Sequence, residues 1–70
     1  MLTIEQFEGL EVGDLIETSP LFAGLSQEPV ILHTVEKSSD QLIFLVTYYG
    51  VTLGLWVCTR KNGELTWETK

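Results

Sequence analysis

The chain has 70 residues, 44% of them hydrophobic, and a formal net charge of −6. This length predicts one small domain over residues 1–70. The single cysteine, Cys58, excludes an intramolecular disulfide, and with the single histidine, His33, it provides too few ligands for a structural zinc site. We therefore expect no metal and no cofactor, and a stability that depends on a well-packed core or on a partner subunit.

The negative charge lies at the start of the chain. Residues 1–28 contain six acids and no Lys or Arg, whereas residues 29–70 balance four acids against four cations. Five of the acids recur at intervals of three: Glu5, Glu8, Glu11, Asp14 and Glu17. Such a run is typical of solvated surface, and the alternative is a patch that meets a basic partner. The net charge repels phosphates, so we expect no direct binding to nucleic acid.

The N-terminal segment predicts a short helix followed by a strand. Thr3 has the side chain of a helix N-cap, and acids follow it in the first turn, where they complement the helix dipole. Gly9 and Gly13 limit this helix to one or two turns, and Leu15–Glu17 reads as a short strand. Proline-containing segments then bracket a loop that carries the apolar residues Leu21, Phe22 and Leu25.

From Val30 onward the pattern indicates strands. Val30–Val35, Leu42–Tyr49 and Leu53–Arg60 are rich in β-branched and aromatic residues, and a polar turn follows the first of them. Asn62-Gly63 predicts a two-residue hairpin, because both residues tolerate positive φ. In the resulting register Cys58 faces Trp67, and alternation places four side chains on one face: Trp56, Cys58, Leu65 and Trp67.

The turn between Leu42–Tyr49 and Leu53–Arg60 determines which side chains of these two strands share a face. If the turn residues are Gly50-Val51, Ile43 and Leu45 join the tryptophan face. The opposite face then carries Phe44, Val46, Tyr48, Leu53 and Leu55. The meander is apolar on both faces, and one interior can cover one of them, so the other needs the N-terminal segment or another subunit. We predict a mainly β fold, either a small SH3-like barrel or a bent five-stranded antiparallel meander with a short N-terminal helix.

One pattern resembles a known family. It consists of Val46, Tyr48, Tyr49-Gly50 and Leu55-Trp56-Val57. The chain is similar here to small bacterial SH3-like domains of uncharacterised function, in which a Val-x-Tyr strand precedes Tyr-Gly and then Leu-Trp-Val-Arg-Pro. Cys58-Thr59 stands in place of Arg-Pro, and the spacer after the glycine is longer. The resemblance covers residues 30–60 and implies the fold, without an activity.

Two features of the sequence bear on the cellular compartment and on membrane association. No secretory signal opens the chain, and the unpaired cysteine fits a reducing cytoplasm, so we expect a cytoplasmic location. Residues 41–59 carry no charge and are long enough for a transmembrane helix. Their β-branched and aromatic composition, and the hairpin signal after them, favour strands instead, so we expect no membrane association.

The candidate chemistry does not indicate an enzyme. His33 lies in an apolar strand and is expected to be a partly buried strand histidine, and Cys58 is expected to be a small core residue. The sequence contains no nucleophile elbow, phosphate-binding glycine loop or metal-ligand spacing. These features predict a non-enzymatic domain.

The remaining hypothesis is a protein–protein interaction or assembly domain that forms a homo-oligomer. Its candidate contacts are Phe22, Tyr48 and Tyr49, with Glu5, Glu8 and Glu11 steering a partner. The alternative is a small acidic inhibitor of the phage type that binds a nucleic-acid-processing protein.

Overall fold

A computed structural model describes residues 2–17 and 30–70. These residues form helix α1 (Ile4–Gly9) and five strands: β1 (Leu15–Glu17), β2 (Ile31–Lys37), β3 (Gln41–Tyr48), β4 (Val51–Lys61) and β5 (Glu64–Thr69). The strands pair in chain order as one antiparallel sheet that is not closed, with β1 and β5 at its edges. The predicted meander with a short N-terminal helix is thereby confirmed. The predicted apolar loop, with Phe22, lies outside the described residues.

Helix α1 begins at the predicted cap. The Thr3 hydroxyl accepts a hydrogen bond from the Gln6 backbone N–H at 3.1 Å, and the Gln6 side-chain oxygen accepts one from the Thr3 N–H at 2.9 Å. This reciprocal pair satisfies two backbone donors that a helix start leaves free. The helix ends before Leu10, which is extended, so that its single buried side chain, Phe7, is held over the sheet.

The hairpin between β4 and β5 has the predicted turn and register. Asn62 and Gly63 have φ of 54° and 76°, the positive values that this turn requires. Cys58 faces Trp67, and the two flanking residues of the turn, Lys61 and Glu64, pair with each other. A turn that admits few residue types therefore fixed the register of both strands.

The hairpin between β3 and β4 turns one residue earlier than predicted. Its turn residues are Tyr49 and Gly50, with φ of 49° and 78°, and Tyr48 pairs with Val51. Both turn residues have positive φ, as in the β4–β5 hairpin, but a tyrosine occupies the first position, which favours asparagine. A bulky aromatic residue is strained at positive φ, so the sequence encodes this turn only weakly.

The predicted assignment of sheet faces is wrong for β3, because β4 contains a bulge. Val46 pairs with Gly54 and Thr47 with Thr52, so Leu53 is an extra residue. A two-residue turn at either position gives the same faces, whereas one extra residue reverses them. The β3 side chains on the tryptophan face are Leu42, Phe44, Val46 and Tyr48, while Ile43 and Leu45 lie on the opposite face.

The core lies between α1 and the tryptophan face, which we call the core face. Its buried cluster comprises Phe7, Val30, Leu32, Leu42, Phe44, Val46, Trp56 and Cys58. The Trp67 ring stacks on Phe44, with ring centroids 5.7 Å apart, and meets Trp56 edge-on at 6.3 Å. Cys58 has no exposed surface, which confirms it as a small core residue. The N-terminal helix therefore covers the face that carries both tryptophans.

Candidate interaction surfaces

The opposite side of the sheet, which we call the outer face, is aliphatic. Strand alternation and the pairing register place six such side chains on it: Leu15, Ile31, Ile43, Leu45, Leu55 and Val57. Most are half-buried among their neighbours, Val57 is buried, and Leu15 at the β1 edge is 63% exposed. In the described part of the chain, the helix packs on the core face instead.

Polar side chains on the outer face are paired with each other. A hydrogen bond of 2.9 Å joins His33 Nε2 to Thr47 Oγ1, and at the start of β3 the Gln41 side-chain amide donates to Thr59 Oγ1 at 3.1 Å. His33 is half-buried, as a strand histidine was expected to be. The charged side chains that the register puts on this side lie at or next to strand ends: Glu17, Glu36, Lys61, Glu64 and Glu68. Among the described residues, the middle of the outer face therefore carries no acid, Lys or Arg.

Two of the acids proposed to steer a partner also form ion pairs with the sheet, and both side chains stay more than half exposed. Glu8 forms an ion pair with Arg60, and Glu11 forms one with Lys37 at 3.3 Å. Lys37 also donates to the Glu8 backbone carbonyl at 3.0 Å. These contacts tie α1 and the turn after it to the end of the sheet, while Glu5 stays exposed in the first helical turn.

Arg60 is the centre of this attachment. Its guanidinium donates to the Ser39 carbonyl at 3.1 Å and lies 5.5 Å from the centroid of the Phe7 ring. A cation over an aromatic face adds to the electrostatic attraction of Glu8. Arg60 therefore contacts both the buried ring and the acidic helix.

Two tyrosines lie at the opposite end of β4, in the segment Tyr48–Val51 that we call the tyrosine hairpin. Tyr48 packs partly against the core, and Tyr49 is 88% exposed. The two rings meet edge-to-face with centroids 4.6 Å apart. One tyrosine of the pair therefore packs against the core and the other is exposed. The nearby Val51 and Leu53 are also more than half exposed.

A cavity of about 230 Å³ opens beside the tyrosine hairpin. The backbone around it comes from three neighbouring strands, because Glu17, Ile31 and Thr47 lie side by side in the register. The residues that line it are Glu17, Val30, Ile31, Thr47, Tyr48, Tyr49 and Gly50. It thus combines two phenol rings with one carboxylate.

The candidate residues consequently fall into two separate groups. Glu8 and Glu11 lie where α1 meets Arg60, near the last residue of β4. The tyrosine hairpin lies at the other end of β4 and includes its first residue, Val51. The strand between them has 11 residues. The acidic helix and the tyrosines therefore do not form one surface.

The buried thiol of Cys58 is mostly protonated at neutral pH. Burial raises the pKa of Cys58 from 9.0 to about 11, so the nucleophilic thiolate is scarce. Among residues 2–17 and 30–70, no group of three or more His, Cys, Asp or Glu side chains is placed to hold a metal ion.

Residues 41–59, the stretch weighed as a membrane span, belong to β3, β4 and the turn between them. None of the helices among the described residues has the length and apolar character needed to cross a bilayer.

Comparisons of the chain with protein-family models, with curated proteins and with solved structures find no match. The resemblance of residues 30–60 to small SH3-like domains therefore stays a prediction.

Sequence reasoning missed the composition of the outer face. The bulge at Leu53 hid it, since one unpaired residue exchanges the two sides of β3. A signal was present in Gly54, which follows the bulge with φ of 137°. Glycine inside a strand often marks a bulge, because few other residues adopt such a backbone.

Proposed function

We propose that this chain is a non-enzymatic assembly domain that forms a homodimer through its outer face. The observation that carries the proposal is that the sheet is apolar on both faces, while the described helix packs on the core face. Exposed aliphatic surface is costly in water and favours association. A chain of 70 residues gains proportionally more from such burial than a large one.

The charge distribution favours a second copy as the occupant. Two chains of net charge −6 repel each other, so they associate best through a surface without charge. The charged side chains of the outer face lie at or next to strand ends, around its aliphatic residues, and Glu5 and Glu8 lie on the helix that packs against the other side of the sheet. Face-to-face packing of two sheets at about 10 Å would bury the aliphatic side chains of both copies.

The buried thiol supports the non-enzymatic part of the proposal. Cys58 is enclosed in the core, with its pKa raised to about 11, and His33 is bonded to Thr47 on the outer face. Neither side chain is paired with the other as a nucleophile and base would be. A reduced thiol also fits the proposed cytoplasmic location.

The alternative, an acidic inhibitor of a nucleic-acid-processing protein, stays a prediction. The ion pairs of Glu8 and Glu11 with Arg60 and Lys37 leave fewer free carboxylates for a basic partner. This alternative predicts strongly salt-dependent capture of a basic protein, whereas dimerisation through the outer face depends little on salt.

Sedimentation equilibrium at two protein concentrations tests the proposal. The wild-type chain should give a mass that rises toward the dimer with concentration, and Leu45→Glu at the centre of the outer face should give the monomer mass. Leu15→Glu is a second variant at a 63% exposed position, where a charge does not disturb the fold. We expect it to weaken the dimer at least about tenfold, because each copy contributes one buried charge to a symmetric interface.

Val51→Glu is the matched control. Val51 is 61% exposed, close to Leu15 in exposure, and it pairs with Tyr48, whose side chain packs on the core face. The substitution adds the same charge away from the outer face, so the dimer should persist. A wild-type mass equal to the monomer at both concentrations would refute the proposal, as would equal effects of Leu15→Glu and Val51→Glu.

A further inference from the structure

The cavity beside the tyrosine hairpin has the chemistry of a site for a cation. The residues that line it include Tyr48 and Tyr49, the acidic Glu17 and the apolar Val30 and Ile31. Phenol rings attract a cation through their π faces, and a carboxylate attracts it directly. No cationic side chain is among the residues that line the cavity.

The backbone at Tyr49 gives a second reason to regard this cavity as a binding site. Tyr49 has φ of 49°, a conformation that asparagine or glycine would adopt at lower cost, and its ring is 88% exposed. Local conformation does not account for a tyrosine here, and its ring stays largely exposed although it meets the Tyr48 ring edge-to-face. Side chains that break a local rule are often functional.

We propose that this cavity binds a cationic side chain, an arginine or lysine presented by a basic segment of a partner protein. The guanidinium or ammonium group would lie against the Tyr49 ring, with Glu17 as its counter-ion. The net charge of −6 would attract such a segment from a distance. The site borders the proposed dimer contact, because Glu17, Ile31 and Thr47 belong to both, but its recognition of a cation does not require the dimer.

Glu17 is the carboxylate placed for this role. It ends β1 beside Ile31 and is exposed. The other acids of the regular N-terminal run lie closer to α1, where Glu8 and Glu11 are engaged by Arg60 and Lys37. The regular spacing of the acids therefore conceals two different roles, one in attaching the helix and one in binding a cation.

A nuclear magnetic resonance titration tests the site with the blocked tripeptide Gly-Arg-Gly as the probe. We expect saturable shifts of the backbone amides of Glu17 and of residues 48–50. The neutral analogue, Gly-citrulline-Gly, has nearly the same shape and should bind at least about fivefold more weakly, because it lacks the charge. Equal binding of the two peptides, or shifts elsewhere in the protein, would overturn the proposal.

Variants separate the roles of charge and ring. Glu17→Gln should weaken binding of the arginine peptide about threefold to fivefold, whereas Glu5→Gln, which removes the same charge from α1, should change it less than about twofold. Tyr49→Asn should weaken binding about fivefold while keeping the turn, and Tyr49→Phe should bind as the wild type does. Loss of binding in Glu5→Gln equal to that in Glu17→Gln would show nonspecific attraction and overturn the site.

Discussion

The core face and the outer face are both apolar but differ in their side chains and in what packs against them. On the core face, Phe7 from α1 closes a cluster that includes Phe44, Trp56 and Cys58. On the outer face, Ile43 and Leu45 lie in an aliphatic surface beside the hydrogen-bonded pair His33–Thr47. Alternating hydrophobicity is therefore not enough to tell which face of such a small sheet is the interior, because the packing of one short helix decides it.

The two faces should differ most in how much the free energy of unfolding falls when a side chain is removed. Phe7→Ala should lower the free energy of unfolding by about 3–5 kcal/mol, because it removes a fully buried ring from the core. Leu45→Ala should cost about 1 kcal/mol in the monomer, since Leu45 is half-buried. Denaturant unfolding at low protein concentration measures both. Equal losses would mean that the outer face is also an interior.

The buried thiol predicts a loss of stability in alkali. Its pKa is about 11 in the folded chain and 9.0 ordinarily, so the unfolded chain releases the proton first as pH rises. The stabilisation is complete below about pH 9 and is lost as pH rises toward 11, by about 2–3 kcal/mol. Denaturant unfolding across this range should show a steeper decline for the wild type than for Cys58→Ala, which has no thiol. Parallel declines would contradict burial as the cause.

Two threonines give a matched contrast between the faces. Thr34 is buried on the core side, and its hydroxyl has no hydrogen-bond partner among residues 2–17 and 30–70, whereas the Thr47 hydroxyl bonds to His33 on the outer face. Thr34→Val should raise the free energy of unfolding by about 1 kcal/mol, because it removes an unsatisfied buried group. Thr47→Val should lower it by about 0.5–1 kcal/mol. Thermal unfolding of both variants measures this contrast, and the same sign for both would contradict it.

The smallest expected effect concerns the attachment of α1. Glu8→Gln removes the ion pair with Arg60 and should cost about 0.5 kcal/mol at low salt and less at high salt. Glu36→Gln removes the same charge at an exposed position without such a pair, and should be close to neutral. Unfolding at two salt concentrations tests the difference. A salt-independent effect in Glu8→Gln would show that the ion pair does not hold the helix.

Local signals predicted much of this fold. The Thr3 cap and the Asn62-Gly63 turn are each fixed by interactions within a few residues, so the helix start and the β4–β5 register could be derived from sequence. The fold class followed from the dense run of β-forming residues after Val30.

The faces of β3 could not be derived in the same way. They depend on the bulge at Leu53, which forms when two strands pair and leaves no local signature beyond Gly54. The roles of Glu8 and Glu11 were missed because their partners, Arg60 and Lys37, are distant in sequence. Phe22 lies outside the described residues, and its proposed contact stays a prediction.

An isotope-filtered nuclear Overhauser experiment on a mixture of labelled and unlabelled chains tests the central claim most directly, because it detects contacts between copies and no others. The account predicts inter-chain signals among the methyl groups of Ile43, Leu45 and Leu55 on the outer face. Inter-chain signals confined to other parts of the protein would contradict it. So would the absence of inter-chain signals at the protein concentrations used to compare the wild type with Leu45→Glu.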